Sequence, residues 1–171
     1  PLYSWVASSR GDVARTGELI GPWLSTAKRE QFHAAVGLRF RGASLPSVSV
    51  AWAAGLFDAE GSTSLSEHRS HSGYKAIEAS VTQGGSGIPE ELVRFTASVA
   101  LGRVNGPYEQ EGANQPVYRW RIHTVDEVRR MLHALLPWLG LVKRRQAFTA
   151  IAVIDRQPLL QPGRIEWGAH K

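Results

Sequence analysis

Residues 52–61 read Trp-Ala-Ala-Gly-Leu-Phe-Asp-Ala-Glu-Gly, an apolar run of small residues closed by two acids and a glycine. A helix over this stretch has one face almost without side chains, because Ala51, Gly55 and Ala59 recur every four positions and Ala54 and Asp58 form the neighbouring ridge. Such a face lets two helix backbones approach well inside the usual packing distance. These five residues therefore predict a helix–helix seam, and the two acids arrive where the helix stops. A carboxylate held beside such a seam suits a divalent cation. The bland alternative is a buried Ala/Gly helix ending at a glycine cap, with the acids as surface charges.

The segment Ala53-Ala54-Gly55-Leu56-Phe57-Asp58-Ala59-Glu60-Gly61 resembles the signature of the LAGLIDADG homing endonucleases. Ala53 stands for the first leucine, Phe57 for the isoleucine and Glu60 for the final aspartate, which keeps the carboxylate and lengthens its reach by one methylene. The resemblance implies an α+β fold, αββαββα, with an antiparallel sheet saddle that lies in the DNA major groove. It also implies hydrolysis of phosphodiesters with Mg²⁺ or Mn²⁺, held by Glu60 and the backbone carbonyl of Ala59. The family places a glutamine at the end of the second strand and a lysine in the turn after a helix pair. Gln83, in Val81-Thr82-Gln83, and Lys143, in Lys143-Arg144-Arg145-Gln146, match those positions. Some members carry an arginine a few residues past the glutamine, where this chain has Gly84-Gly85-Ser86-Gly87. For Asp58 the preferred expectation is a cap or bond across the paired helices rather than a metal ligand.

A second feature organises the rest. Residues 1–36 laid over 116–151 without gaps match Pro1 with Pro116, Tyr3 with Tyr118 and Trp5 with Trp120, an offset of 118 − 3 = 115. The same shift matches Val13 with Val128, Arg15 with Arg130, Pro22-Trp23-Leu24 with Pro137-Trp138-Leu139, Lys28-Arg29 with Lys143-Arg144, and Gln31 with Gln146. A register that holds through strand, helix and basic turn together reads as two copies of one unit. The expected division is a remnant of a first repeat at 1–36, a linker at 37–50, a complete repeat at 51–157 and a tail at 158–171. Carrying Glu60 back by the same shift places its counterpart before residue 1. Lys28 is the first copy's equivalent of Lys143.

Within the complete copy, 62–68 and 74–83 read as a hairpin, 90–101 as a helix, 103–109 and 116–123 as a second hairpin, and 125–136 and about 143–155 as helices. Alternation puts Ile77, Ala79, Val81, Tyr118, Trp120 and Ile122 inward. The outward candidates for base and phosphate contacts are Ser64, Ser66, His68, Lys75, Glu78, Ser80, Thr82, Arg103, Asn105, Arg119 and Arg121.

Twenty Lys and Arg against fifteen Asp and Glu give a net charge of +5, consistent with an anionic partner, of which double-stranded DNA is the expected one. There is no cysteine, which excludes thiolate metal sites and cysteine nucleophiles and argues against an intein, whose terminal His-Asn is also missing. No window reaches the roughly 18 apolar residues of a membrane span. The expected setting is intracellular, cytoplasmic or organellar, and not secreted. One motif is not expected to cut both strands. The second would come from a first repeat, or from a second copy of the chain through the Ala51/Gly55/Ala59 face, with residues 1–36 as an obstruction. The competing readings are a non-catalytic nucleic-acid binder, such as an intron RNA maturase or a degenerate relic, and a regulatory DNA-binding domain.

Overall fold

The computed structural model describes residues 6–37, 49–67, 75–109, 112 and 114–156. Residues 2–5 of the strand expected at 2–6, residues 38–48 of the linker expected at 37–50, His68 and the turn after it, and the tail at 158–171 lie outside the described residues.

The described chain runs α1 (Arg10–Ile20), a 3₁₀ turn (Gly21–Trp23), α2 (Thr26–Val36), α3 (Val50–Glu60), β1 (Gly61–Glu67), β2 (Lys75–Gly84), α4 (Glu90–Val99), β3 (Arg103–Tyr108), β4 (Val117–Ile122), α5 (Val125–Leu135), a second 3₁₀ turn (Leu136–Trp138) and α6 (Leu141–Asp155). The strands form one antiparallel sheet in the order β1-β2-β4-β3. From α3 onward the order is the expected α+β one.

Four helices cover one face of that sheet. Ile77, Ala79, Val81, Tyr118, Trp120 and Ile122 meet Ala53, Ala54 and Phe57 of α3, Leu92 and Phe95 of α4, and the apolar stripes of α5 and α6. Phe95 sits edge-on to Trp120 at 4.7 Å and stacks on Phe57 at 6.3 Å. Such aromatic pairs add about 0.5–1.5 kcal/mol each beyond the area they bury. The indole of Trp120 donates to the Leu101 carbonyl at 2.9 Å, so the one polar atom of this core ring is satisfied.

Boundaries differ from expectation by one to two residues, each for a local reason. α3 starts at Val50, because the Ser49 side chain accepts from the Trp52 amide. α4 stops at Val99, because Ala100 turns left-handed (φ 53) and its amide closes on Thr96. Pro89 occupies the N-cap of α4 rather than its first turn. α6 starts at Leu141 rather than Lys143. Gly61 follows α3 directly, and a Cβ there would overlap the Phe57 ring and carbonyl, so only glycine lets the strand leave the helix at this point.

α1, its 3₁₀ turn and α2 begin and end 115 positions before α5, its 3₁₀ turn and α6, except that α6 continues to Asp155. The N-terminal corner lies on α4. Arg94, only 7% exposed, donates to the Trp23 carbonyl at 3.2 Å and stacks 4.4 Å over the Trp52 ring. Glu90 accepts from the Thr26 amide at 2.9 Å and lies 3.8 Å from Arg94. Sequence reasoning gave Arg94 no role. The available signal was a Glu–Arg pair at i, i+4 in α4.

Candidate functional site

The C-terminal end of α3 is tied to the N-terminal end of α6 by two side chains that cross in opposite directions. Asp58 Oδ2 accepts the Gly140 amide at 2.6 Å, a carboxylate set at a helix N-terminus, and its Oδ1 is buried with no hydrogen-bond partner. Lys143, from the first turn of α6, returns across the seam and donates to the Gly61 carbonyl at 2.5 Å. Its ammonium is 6.0 Å from the centre of the Phe57 ring. Lys143 is thereby held one residue beyond Glu60. Ala59 and Glu60 are themselves exposed.

The basic turn splits its labour. Arg144 bends back to the Pro137 and Leu139 carbonyls at 3.3 and 2.9 Å and serves the 3₁₀ turn, whereas Arg145 is exposed. The carbonyls left at the end of the turn were the sequence signal for Arg144.

Gln83 stands two residues beyond Val81, the strand partner of Gly61. Opposite Tyr118 in the register, it shares the parity of Val81 and so belongs to the helix side of the sheet. It lines a cleft of about 510 Å³ together with Lys28, Gln31, Ser25 and the Gly84–Gly87 turn. Lys143 meets the residue after Glu60, and Gln83 and Lys28 line one cleft. Among the described residues no group of three or more His, Asp or Glu side chains converges to hold a metal ion.

The seam residues divide as well. Gly55 and Ala59 are exposed and Ala51 is half-buried, with open space beside Gly55. Ala54 is fully buried in the chain's own core and Asp58 is committed to α6, so these two do not belong to an outward face as expected. The reason is helical geometry: residues 54 and 58 share the stripe of Ala53 and Phe57 that meets the sheet and α6.

The alternate positions of the strands make up the other face of the sheet. The register aligns Ser62, Ser80, Arg121 and Arg103 in one row across all four strands, and Thr82, Arg119 and Asn105 in the next. Ser64 pairs with Glu78. Arg119 donates to the Thr82 hydroxyl at 3.4 Å, and the Asn105 amide to the Arg103 carbonyl at 3.3 Å. Arg103 and Arg121, directly opposite one another, leave like charges adjacent, an arrangement that favours an anion between them. Lys75 opens β2 opposite Glu67.

A four-stranded antiparallel sheet, covered on one face and bearing arginine rows on the other, with a small-residue helix leading into its first strand, has solved counterparts. The homing endonuclease I-CvuI in complex with its target in the presence of calcium aligns with a TM-score of 0.51 at 21% identity, over 62% of this chain and 65% of that one. The LAGLIDADG homing endonuclease I-GzeII in complex with its DNA target aligns at 0.52 and 18% identity, over 77% and 44%. This chain has the LAGLIDADG homing endonuclease fold. The homing endonuclease I-TnaI aligns at 0.51 and 16% identity, over 64% and 73%. No protein-family model and no curated protein matches the sequence. The chain spans about two thirds of the length of I-CvuI and under half of that of I-GzeII. The helix that resembles the LAGLIDADG signature is α3, and its acids stand at the end that meets β1.

Proposed function

We propose that the chain is the DNA-binding, strand-cutting unit of a site-specific double-stranded DNA endonuclease. The observation that carries this reading is the juxtaposition of the arginine rows of the sheet with a carboxylate and an ammonium at the end of α3, next to the first residue of that sheet. In this reading the sheet enters the major groove. Arg103, Arg119 and Arg121 meet phosphates and base edges, while Ser64, Ser66, Ser80, Thr82 and Asn105 offer shorter hydrogen-bonding groups between them.

Two oxygen donors, the Glu60 carboxylate and the Ala59 carbonyl, suit a hard divalent cation such as Mg²⁺, which ordinarily completes its shell with water and phosphate. When bound, such a cation supplies charge neutralisation at the phosphate and a more acidic water. The chain's own residues supply the rest. Lys143 presents a fixed positive charge where negative charge develops on a cleaved phosphodiester, and Asp58 keeps the two helix ends that carry Glu60 and Lys143 together. Gln83 and Lys28 offer an amide and a second ammonium at the neighbouring cleft. A single signature helix predicts one cut strand per unit.

The test is selection from a pool of random duplexes. Enrichment of one long sequence that competes against calf-thymus DNA supports the reading. Retention of all duplexes alike, or of folded RNA in preference to duplex, replaces it with the non-catalytic binder.

A further inference from the structure

The two lysines near the sheet's end are placed in different ways. Lys143 is held at its ammonium, on the Gly61 carbonyl. Lys28 is fixed at its backbone, where its amide donates to the Ser25 hydroxyl at 3.4 Å, at the N-cap of α2. Where α2 begins therefore decides from where the Lys28 side chain sets out. Two side chains of α4 hold that beginning. Glu90 Oε2 accepts the Thr26 amide at 2.9 Å and Arg94 donates to the Trp23 carbonyl at 3.2 Å, one contact on each side of the buried Ser25.

The opposite wall of the cleft belongs to the same helix. The Gly84–Gly87 turn carries Gln83 at its β2 end and leads to Glu90 at its α4 end, and the Gly85 amide pins the turn to the Pro116 carbonyl at 3.0 Å. Glu90 and Glu91 line the cleft together with Ser25, Lys28, Gln31 and Gln83. One carboxylate thus borders the cleft and bonds the element across it.

Stability does not account for this pair. Arg94 Nε and Nη2 and Glu90 Oε1 are buried without a hydrogen-bond partner, and Arg94 Nη1 stands 3.8 Å from that oxygen. A buried pair so incompletely satisfied is a poor source of stability, and an apolar side chain of similar volume would serve the packing of α4 as well or better. What the two charges add is direction, since each holds a particular backbone group of the N-terminal corner.

We propose that Glu90 and Arg94 are positioning residues for Lys28: by setting the start of α2 they hold its ammonium in the cleft that Gln83 lines. What the ammonium does there rests on the nuclease reading, whereas its placement does not.

The chain has no cysteine, so Lys28→Cys with Gln83→Cys supplies two unique thiols in the full chain. A short bismaleimide is expected to join them within one chain, at a rate independent of protein concentration. Glu90→Ala is expected to slow that link about tenfold. Thr26→Pro leaves α4 untouched, deletes the amide that Glu90 holds, and suits a first helical position behind an extended Ser25, so it slows the link to the same extent. The two together slow it no further, because they break one bond. Glu90→Gln keeps an acceptor and restores the rate. Arg94→Met, which keeps the side-chain volume, slows the link while the urea transition stays cooperative. In the strand-cutting assay, with the selected duplex saturating, Glu90→Ala slows the nick but has no further effect once Lys28→Met is present.

A link as fast in Glu90→Ala and Arg94→Met as in the parent overturns the placement, and so do additive losses from Glu90→Ala and Thr26→Pro. A nick slowed equally by Glu90→Ala with and without Lys28→Met overturns the role. If no chain nicks, the nuclease reading falls, and the link still decides whether Glu90 and Arg94 place Lys28.

Discussion

Two carboxylates two positions apart have different duties, and the structure separates them by what each touches. Asp58 closes the α3–α6 seam on the Gly140 amide, while Glu60 is exposed at the helix end. Removing the Asp58 carboxylate strands a helix-terminal amide at a packed contact. Asp58→Ala is therefore expected to lower stability by about 1–3 kcal/mol in urea unfolding, whereas Glu60→Gln stays within about 0.5 kcal/mol of wild type. Equal losses in both would place Glu60 in the structure rather than in the chemistry. Gly140→Ala should act through the same contact, since its Cβ would stand 2.9 Å from Asp58 Oδ2. The spacing of the acids was legible in the sequence; the expected bond of Asp58 was across paired helices, and the bond it makes is to the start of α6 in its own chain. Its partner was not legible, because Gly140 lies 82 positions away and a glycine amide leaves no mark in residue type.

At the scale of elements, β4 and its neighbours were readable because alternation there is strict. Trp120 is inward and fully buried between Arg119 and Arg121, as period two requires. Its indole N–H is the only polar group it brings into the core. Trp120→Phe should cost about 2–3 kcal/mol through lost volume and an unpaired Leu101 carbonyl, with no change in the denaturant slope. A loss under about 0.5 kcal/mol would show that the Leu101 carbonyl finds another donor.

The helical repeat was legible as well. The 115-residue offset read from Tyr, Trp, Pro-Trp-Leu and Lys-Arg recurs in the start points of three consecutive elements. What escaped the sequence was which way each helix residue faces. Ala54 looked like part of a seam because small residues fit a close helix contact and a crowded core equally well.

For the whole molecule the decisive property is a sheet whose one face meets the helices and whose other face carries Arg103, Arg119 and Arg121 in adjoining rows. If those arginines neutralise phosphates, binding weakens linearly in log salt. Each Arg→Ala change that deletes a phosphate contact then lowers the slope by about one, while one that deletes a base contact relaxes selectivity and leaves the slope nearly unchanged. Arg103→Ala and Arg121→Ala, measured together with the double variant, sort the two cases. Non-additivity between them is expected, because they are cross-strand neighbours.

The central claim joins that face to the end of α3, and one comparison bears on it directly. The selected duplex is incubated with the full chain and Mg²⁺, and each strand is run on a denaturing gel for wild type and for Glu60→Gln. The account predicts one fixed nick by the wild type, and none by Glu60→Gln at equal affinity for the duplex. Equal cutting by both proteins, or tight binding by both with no cut from the wild type, would contradict it.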